Sequence, residues 1–127
     1  MGARLSMVGL LVEDMERSLG FYRALGLPIP ESAEEEAHVE VEIGGEVVLF
    51  WDAAFVATYD PAWEKPRGDY RILPEFFVGS REDVDALYGK LVAHGHRGRR
   101  PPFETHFGAY MAMVDDPDGN TVLLTAG

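Results

Sequence analysis

The sequence predicts an α+β fold made of two similar modules. Three observations carry that prediction: a strand-then-helix order that occurs twice, glycines that stop both helices at matching places, and enough apolar residues to build a core. The chain has 127 residues, 46% of them hydrophobic. A chain of this size hides roughly two-thirds of the surface that its unfolded state exposes, so it needs neither disulfides nor a structural metal to fold. Aligning Val12 with Val78 and Gly26 with Gly95 sets the repeat at roughly 66 to 69 residues, far longer than a solenoid unit.

In the first module, residues 4–12 are rich in aliphatic and β-branched side chains and read as a strand. Asp14 can accept from the free amides of a helix that starts at Met15, and Met15, Leu19, Tyr22 and Leu25 recur at helical spacing. Gly26 supplies the left-handed cap, and Pro28 and Pro30 forbid continuation. After the acidic run 31–36, read as a solvated loop, residues 38–43 alternate polar and apolar. Gly44-Gly45 makes a hairpin turn and residues 46–51 return as a strand.

The second module repeats the order. Residues 71–78 read as a strand, and Ser80 with Asp83 opens a helix striped by Val84, Leu87, Tyr88 and Leu91 and ended at Gly95. A basic, proline-broken stretch, 97–102, leads to a strand over 109–114, a turn at Asp116-Pro117-Asp118-Gly119, and a last strand over 121–125. We take the chain as one domain over 1–127, with module one at about 3–52, a linker at about 53–70 and module two at about 71–127. The linker carries Phe55, Tyr59, Trp63 and Tyr70, whose rings would cover a sheet edge or close over a ligand.

Charge and composition exclude several functions. Twenty-two acidic residues against eleven basic ones leave a net charge of -11, which repels phosphate backbones and anionic membranes, so neither nucleic acid nor membrane is expected as a partner. Met1 and the residues after it lack the apolar run of a signal peptide. With no cysteine, thiol nucleophiles and thiolate metal sites are excluded, and a cytoplasmic location is the simplest expectation.

Two blocks then carry a resemblance: Val12-Glu13-Asp14-Met15-Glu16-Arg17-Ser18 with Phe21-Tyr22 and Leu25-Gly26-Leu27, and Asp115-Asp116-Pro117-Asp118-Gly119-Asn120. Together with the internal repeat, over essentially the whole chain, they resemble the vicinal oxygen chelate superfamily, the group of glyoxalase I, bleomycin-resistance proteins and extradiol dioxygenases. The resemblance implies two βαβββ modules whose curled mixed sheets line a concave pocket, and a homodimer.

In catalytic members of that superfamily a divalent cation is held by His, Gln or Glu in the first strand of each module and by Glu late in each module's last strand. The matching positions here are Met7, Phe50, Leu73 and Leu123, all apolar. Shifts of two residues, which keep a side chain on the same face, add only Asp52 and Glu75 as carboxylates. The resemblance therefore implies no metal and no other cofactor for this chain. His38, with Glu40 and Glu42, reads as a solvated strand face, and His94 and His96 as surface residues at a helix end. His106 lies in the loop entering a pocket-lining strand and is the histidine most suited to ligand contact.

The function expected on these grounds is metal-free binding of a small molecule, a cationic or aromatic ligand such as an antibiotic. Met7, Phe50, Asp52, Trp63, Leu73, Glu75, His106, Tyr110 and Leu123 are the expected ligand-binding residues. Rings stack on planar ligands and carboxylates pair with amines. The alternative is a glyoxalase-like lyase, isomerase or dioxygenase-type enzyme with atypical residues, in which Glu75, Asp52 or His106 acts as acid or base, Glu75 and His106 being the main candidates. A carboxylate among Phe50, Leu73 and Phe77 would have a raised pKa suited to that role. The basic trio Arg97, Arg99 and Arg100 suits instead an anionic ligand.

Overall fold

A computed structural model of the chain describes residues 2–45, 47–53 and 56–127. Met1, Glu46 and Phe55, which the sequence reading placed at the amino terminus, at a strand start and among the linker rings, lie outside the described residues. The chain divides into two compact units, Met1–Pro66 and Arg67–Gly127.

The first unit runs β1 (Met7–Leu11), α1 (Met15–Leu25), a 3-10 turn (Glu31–Glu35), β2 (His38–Ile43), β3 (Val47–Asp52) and a short α2 (Val56–Tyr59). Its sheet has the order β1-β3-β2, with β1 parallel and β2 antiparallel to β3. Both ends of α1 are built as the sequence requires. The Asp14 side chain accepts from the Arg17 amide, and Gly26 sits at φ 108. Leu19, Phe21 and Tyr22 are almost wholly buried, and Trp51 of β3 packs edge-on to Tyr22 at 5.5 Å, so Trp51 belongs to the helix-facing side of the sheet. Val39 and Val41 share that side.

This sheet has three strands, while the module that the resemblance implies has four. The segment that would supply the fourth is the stretch after α1, where Pro28 and Pro30 remove two ladder donors and the chain coils into the 3-10 turn. Arg23 fastens that turn: Nε donates to the Ile29 carbonyl at 3.2 Å, and Nη2 bonds the Pro30 carbonyl and Glu34.

The second unit runs β4 (Glu75–Gly79), α3 (Arg81–Ala93), β5 (Arg97–Glu104), β6 (Tyr110–Asp115) and β7 (Thr121–Ala126), and its sheet has the order β4-β7-β6-β5. Here the βαβββ order is complete. Ser80 and Asp83 form the expected capping box at the start of α3. Val84 and Leu91 of α3 are buried, as are Ala112, Val114, Val122 and Leu124 of the sheet.

Two segments differ from the sequence reading. The first strand of this unit begins at Glu75, not at residue 71, because Pro74 has no amide to give to a ladder; Ile72 is left 77% exposed. The proline-broken stretch after α3, expected only to lead into the next strand, is itself the edge strand β5. An edge position tolerates Pro101 and Pro102, because an edge strand has a partner on one side only, and the register shift between Arg100 and Phe103 absorbs the irregularity.

Among the described residues no helix is long and apolar enough to cross a membrane.

Candidate functional site

Each sheet has one face against its helix and one turned away from it, and the second is where the chemistry-bearing side chains gather. In the first unit, Trp51 points to α1, so its neighbours Phe50 and Asp52 point the other way. Strand register adds Met7, Gly9 and Leu11 from β1 and His38, Glu40 and Glu42 from β2 to that face.

At its centre the His38 ring stacks on Phe50, with centroids 5.3 Å apart and planes 30° apart. His38 Nε2 lies 2.9 Å from Glu40 Oε2. Asp52 is 2% exposed, and the Tyr59 phenol of α2 donates to its Oδ2 at 3.5 Å. Partial burial and then the negative charge of Asp52 push the Tyr59 phenol above its ordinary value, so it remains a neutral donor. The face thus offers an aromatic floor, a histidine, and carboxylates at two depths.

His38 and Glu40 are the residues that sequence reasoning set aside as a solvated strand face. The available signal was register. Across the hairpin His38 falls opposite Asp52 and Glu40 opposite Phe50, so both share a face with two expected site residues.

In the second unit the face turned from α3 carries Glu75 of β4, Leu123 and Thr125 of β7, and Met111 and Met113 of β6. The Thr125 hydroxyl donates to Glu75 at 3.2 Å. Leu123 is 9% exposed. Toward β5, buried Asp115 accepts from the Thr121 hydroxyl at 2.6 Å and pairs with Arg97 at 3.2 Å.

The other expected site residues fall apart from these groups. Tyr110 is on the opposite face, against α3: its hydroxyl donates to Asp85 at 2.5 Å and Arg81 lies over its ring. Strand alternation explains the placement, since Met111 takes the face that was expected for Tyr110. His106 is exposed in the turn before β6, edge-on to Phe107. Leu73 is half-buried and precedes β4, and Trp63 is 39% exposed; Met7, by contrast, keeps to the Phe50 face, 41% exposed. The enclosure expected around Glu75 is not formed, since Glu75 is exposed and Phe77 is 69% exposed.

Register bears directly on the metal question. Gly9 pairs with Phe50 and Glu75 pairs with Leu123 in the same parallel geometry, at the same remove from the helix caps Asp14 and Ser80. The two modules therefore share one internal register, in which Met7 corresponds to Leu73 and Phe50 to Leu123, the four positions that the resemblance assigns to metal ligands. A thioether, an aromatic ring and two aliphatic chains do not fit a divalent cation that takes imidazole and carboxylate. Among the described residues, no three His, Asp or Glu side chains are grouped to hold a metal ion.

The chain is similar to several solved structures over nearly its whole length. A glyoxalase/bleomycin resistance protein/dioxygenase family enzyme from Burkholderia phytofirmans PsJN is 24% identical, with a TM-score of 0.82 and 98% of each chain covered. A hypothetical protein from S. aureus is 26% identical with a TM-score of 0.74, covering 100% of this chain and 94% of that one. A lactoylglutathione lyase from Agrobacterium tumefaciens is 19% identical with a TM-score of 0.65, covering 100% and 96%. No curated protein matches the chain. The family model for the Glyoxalase/Bleomycin resistance protein/Dioxygenase superfamily matches residues 4–124, and with the repeated strand-helix order and the paired registers it establishes that the chain belongs to that superfamily.

Proposed function

We propose that the protein binds a small cationic or aromatic molecule without a metal, in the manner of a sequestering protein for an antibiotic. The observation that carries this reading is the Phe50 face of the first unit. A ring stacked with His38 offers a flat apolar surface, and Glu40 and Asp52 supply negative charge beside it. A planar cation gains from both, through stacking and through charge. The net charge of -11 adds long-range attraction for such a ligand. Met7 belongs to the same face, and in the second unit Leu123 and Glu75 present an apolar side chain and a carboxylate on one sheet face.

A catalytic reading through Glu75 or His106 has less to rest on, because both side chains are exposed and neither is held by a second titratable group among the described contacts. Exposed Leu5, Ile72, Phe77 and Phe107 support association with a second copy, which analytical ultracentrifugation tests; a monomer at all concentrations overturns that part.

The binding reading is tested by a thermal-shift screen of glycopeptide antibiotics and other cationic aromatics. A ligand at a hundredfold excess over its Kd stabilises the fold by about 2.7 kcal/mol. The expected hit stabilises the wild type and not the Phe50→Ala variant. A screen in which no cationic aromatic stabilises the fold, or in which Phe50→Ala responds equally, overturns the reading.

A further inference from the structure

A bulge in β5 turns two neighbouring arginines to the same side of the second sheet. Arg97 pairs with Asp115 across the ladder, Gly98 faces Tyr88 and Val92 of α3, and the register then slips before Arg100 meets Met113. Arg99, the extra residue, reaches Thr121 at 3.4 Å, on the side where Arg97 and Arg100 also stand. Three guanidinium groups therefore share the face that carries Met111, Met113 and Leu123.

Their partners are unequal. Arg97 is held by buried Asp115 and Arg99 by Asp69 at 2.7 Å, with the Arg99 guanidinium 5.0 Å from the Tyr70 ring centre. Arg100 has no carboxylate partner among the described residues. It is exposed, and its guanidinium lies 3.5 Å from the ring centre of Phe103. Stacking fixes the plane of the guanidinium and leaves its N–H edge free for a planar, two-oxygen acceptor. Pro101 and Pro102 keep this edge from adding a further strand.

We propose that Arg100, stacked on Phe103 and flanked by the ion-paired Arg97 and Arg99, is a binding site for a single carboxylate carried on a compact apolar body. Half-buried Met111 and Met113 give that body a surface to lie on. One negative charge suits the site better than two. Asp69 and Asp115 already neutralise two of the three arginines, and the field of a chain with net charge -11 works against a dianion. The site stands on the second unit alone and does not depend on the Phe50 face of the first.

The test is an amide-resolved NMR titration of the whole chain with phenylacetate, phenethylamine and phenyl phosphate. Phenylacetate is expected to move the amides of β5 and of Met111 and Met113, and phenethylamine to leave them unmoved. Arg100→Gln is expected to weaken phenylacetate binding by roughly tenfold or more, and Arg100→Lys to recover part of the loss, since it keeps the charge without the fork. Unmoved amides in α3 report that each variant is folded; should Arg100→Gln not fold, Phe103→Leu removes the stack instead and is expected to weaken binding. No movement of β5 with phenylacetate, equal binding by Arg100→Gln, equal movement with phenethylamine, or tighter binding of phenyl phosphate than of phenylacetate overturns the proposal.

Discussion

The Phe50 ring lies against the backbone of Gly9, in the space that a Cβ on residue 9 would occupy. An aromatic ring on β3 is thus matched by the absence of a side chain on the strand beside it.

Gly9→Ala therefore displaces the ring. An overpacked contact of this kind costs about 1–3 kcal/mol. In a Phe50→Leu background the cost falls, so a double-mutant cycle by urea denaturation is expected to show coupling between the two positions. Additive effects would mean that the ring moves aside freely. Gly9→Ala is also expected to weaken any ligand that Phe50 binds.

Ser18 is fully buried in α1, and its hydroxyl has no hydrogen-bond partner among the described residues. A buried hydroxyl without a partner is destabilising, and alanine is the better helix former. Ser18→Ala is expected to stabilise the protein by about 0.5–1 kcal/mol, seen as a raised Tm and an unchanged urea m-value. A lowered Tm would contradict this.

Asp115 is 5% exposed and relies on the Thr121 hydroxyl and on Arg97. Thr121→Val keeps the shape and removes one donor from a buried carboxylate, at a cost of about 1–3 kcal/mol. Urea denaturation measures it. An unchanged midpoint would show that the Thr121 bond contributes nothing.

Acid is expected to weaken the fold through three depressed carboxylates. A hydrogen bond from Arg23 and then a backbone amide hold Glu34 below its ordinary 4.5. A hydrogen bond from Arg99 and then the Tyr70 amide hold Asp69 below 3.8, and the Ser80 amide and then its hydroxyl do the same for Asp83. Each folded-state pKa is lower than in the unfolded chain, so the unfolded state takes up more protons in that window. The contribution is present in full above the ordinary values and is lost as pH falls through the depressed ones. Urea midpoints measured down to about pH 3 are expected to fall over that range, and Arg23→Gln is expected to remove the Glu34 share. A slope that Arg23→Gln leaves unchanged would exclude that share. Asp69 and Asp83 are exposed and Glu34 is half-buried, so added salt should shrink the effect, most for the first two.

Much of the fold is legible from local rules. Asp14 and Ser80 cap their helices, Gly26 takes the left-handed conformation, and Asp116 closes its turn by accepting from the Asp118 and Asn120 amides. Each of these depends on residues a few positions apart. The candidate site is less legible. Phe50 was expected from the family resemblance and Asp52 from a two-residue shift along the strand, but His38 and Glu40 join their face only through hairpin register, and Tyr110 leaves for the helix side by one residue of phase.

By itself the sequence determined the helices, their caps, the two-module repeat and the apolar character of Met7, Phe50, Leu73 and Leu123, because each follows from side-chain type and near neighbours. Only the tertiary structure decided that residues 97–104 form a strand, that its bulge sets Arg97, Arg99 and Arg100 on one face, and that Phe50 rests on Gly9. Strand pairing joins residues far apart in the chain, and a shift of one residue turns a side chain to the opposite face, so no local window of sequence contains that information.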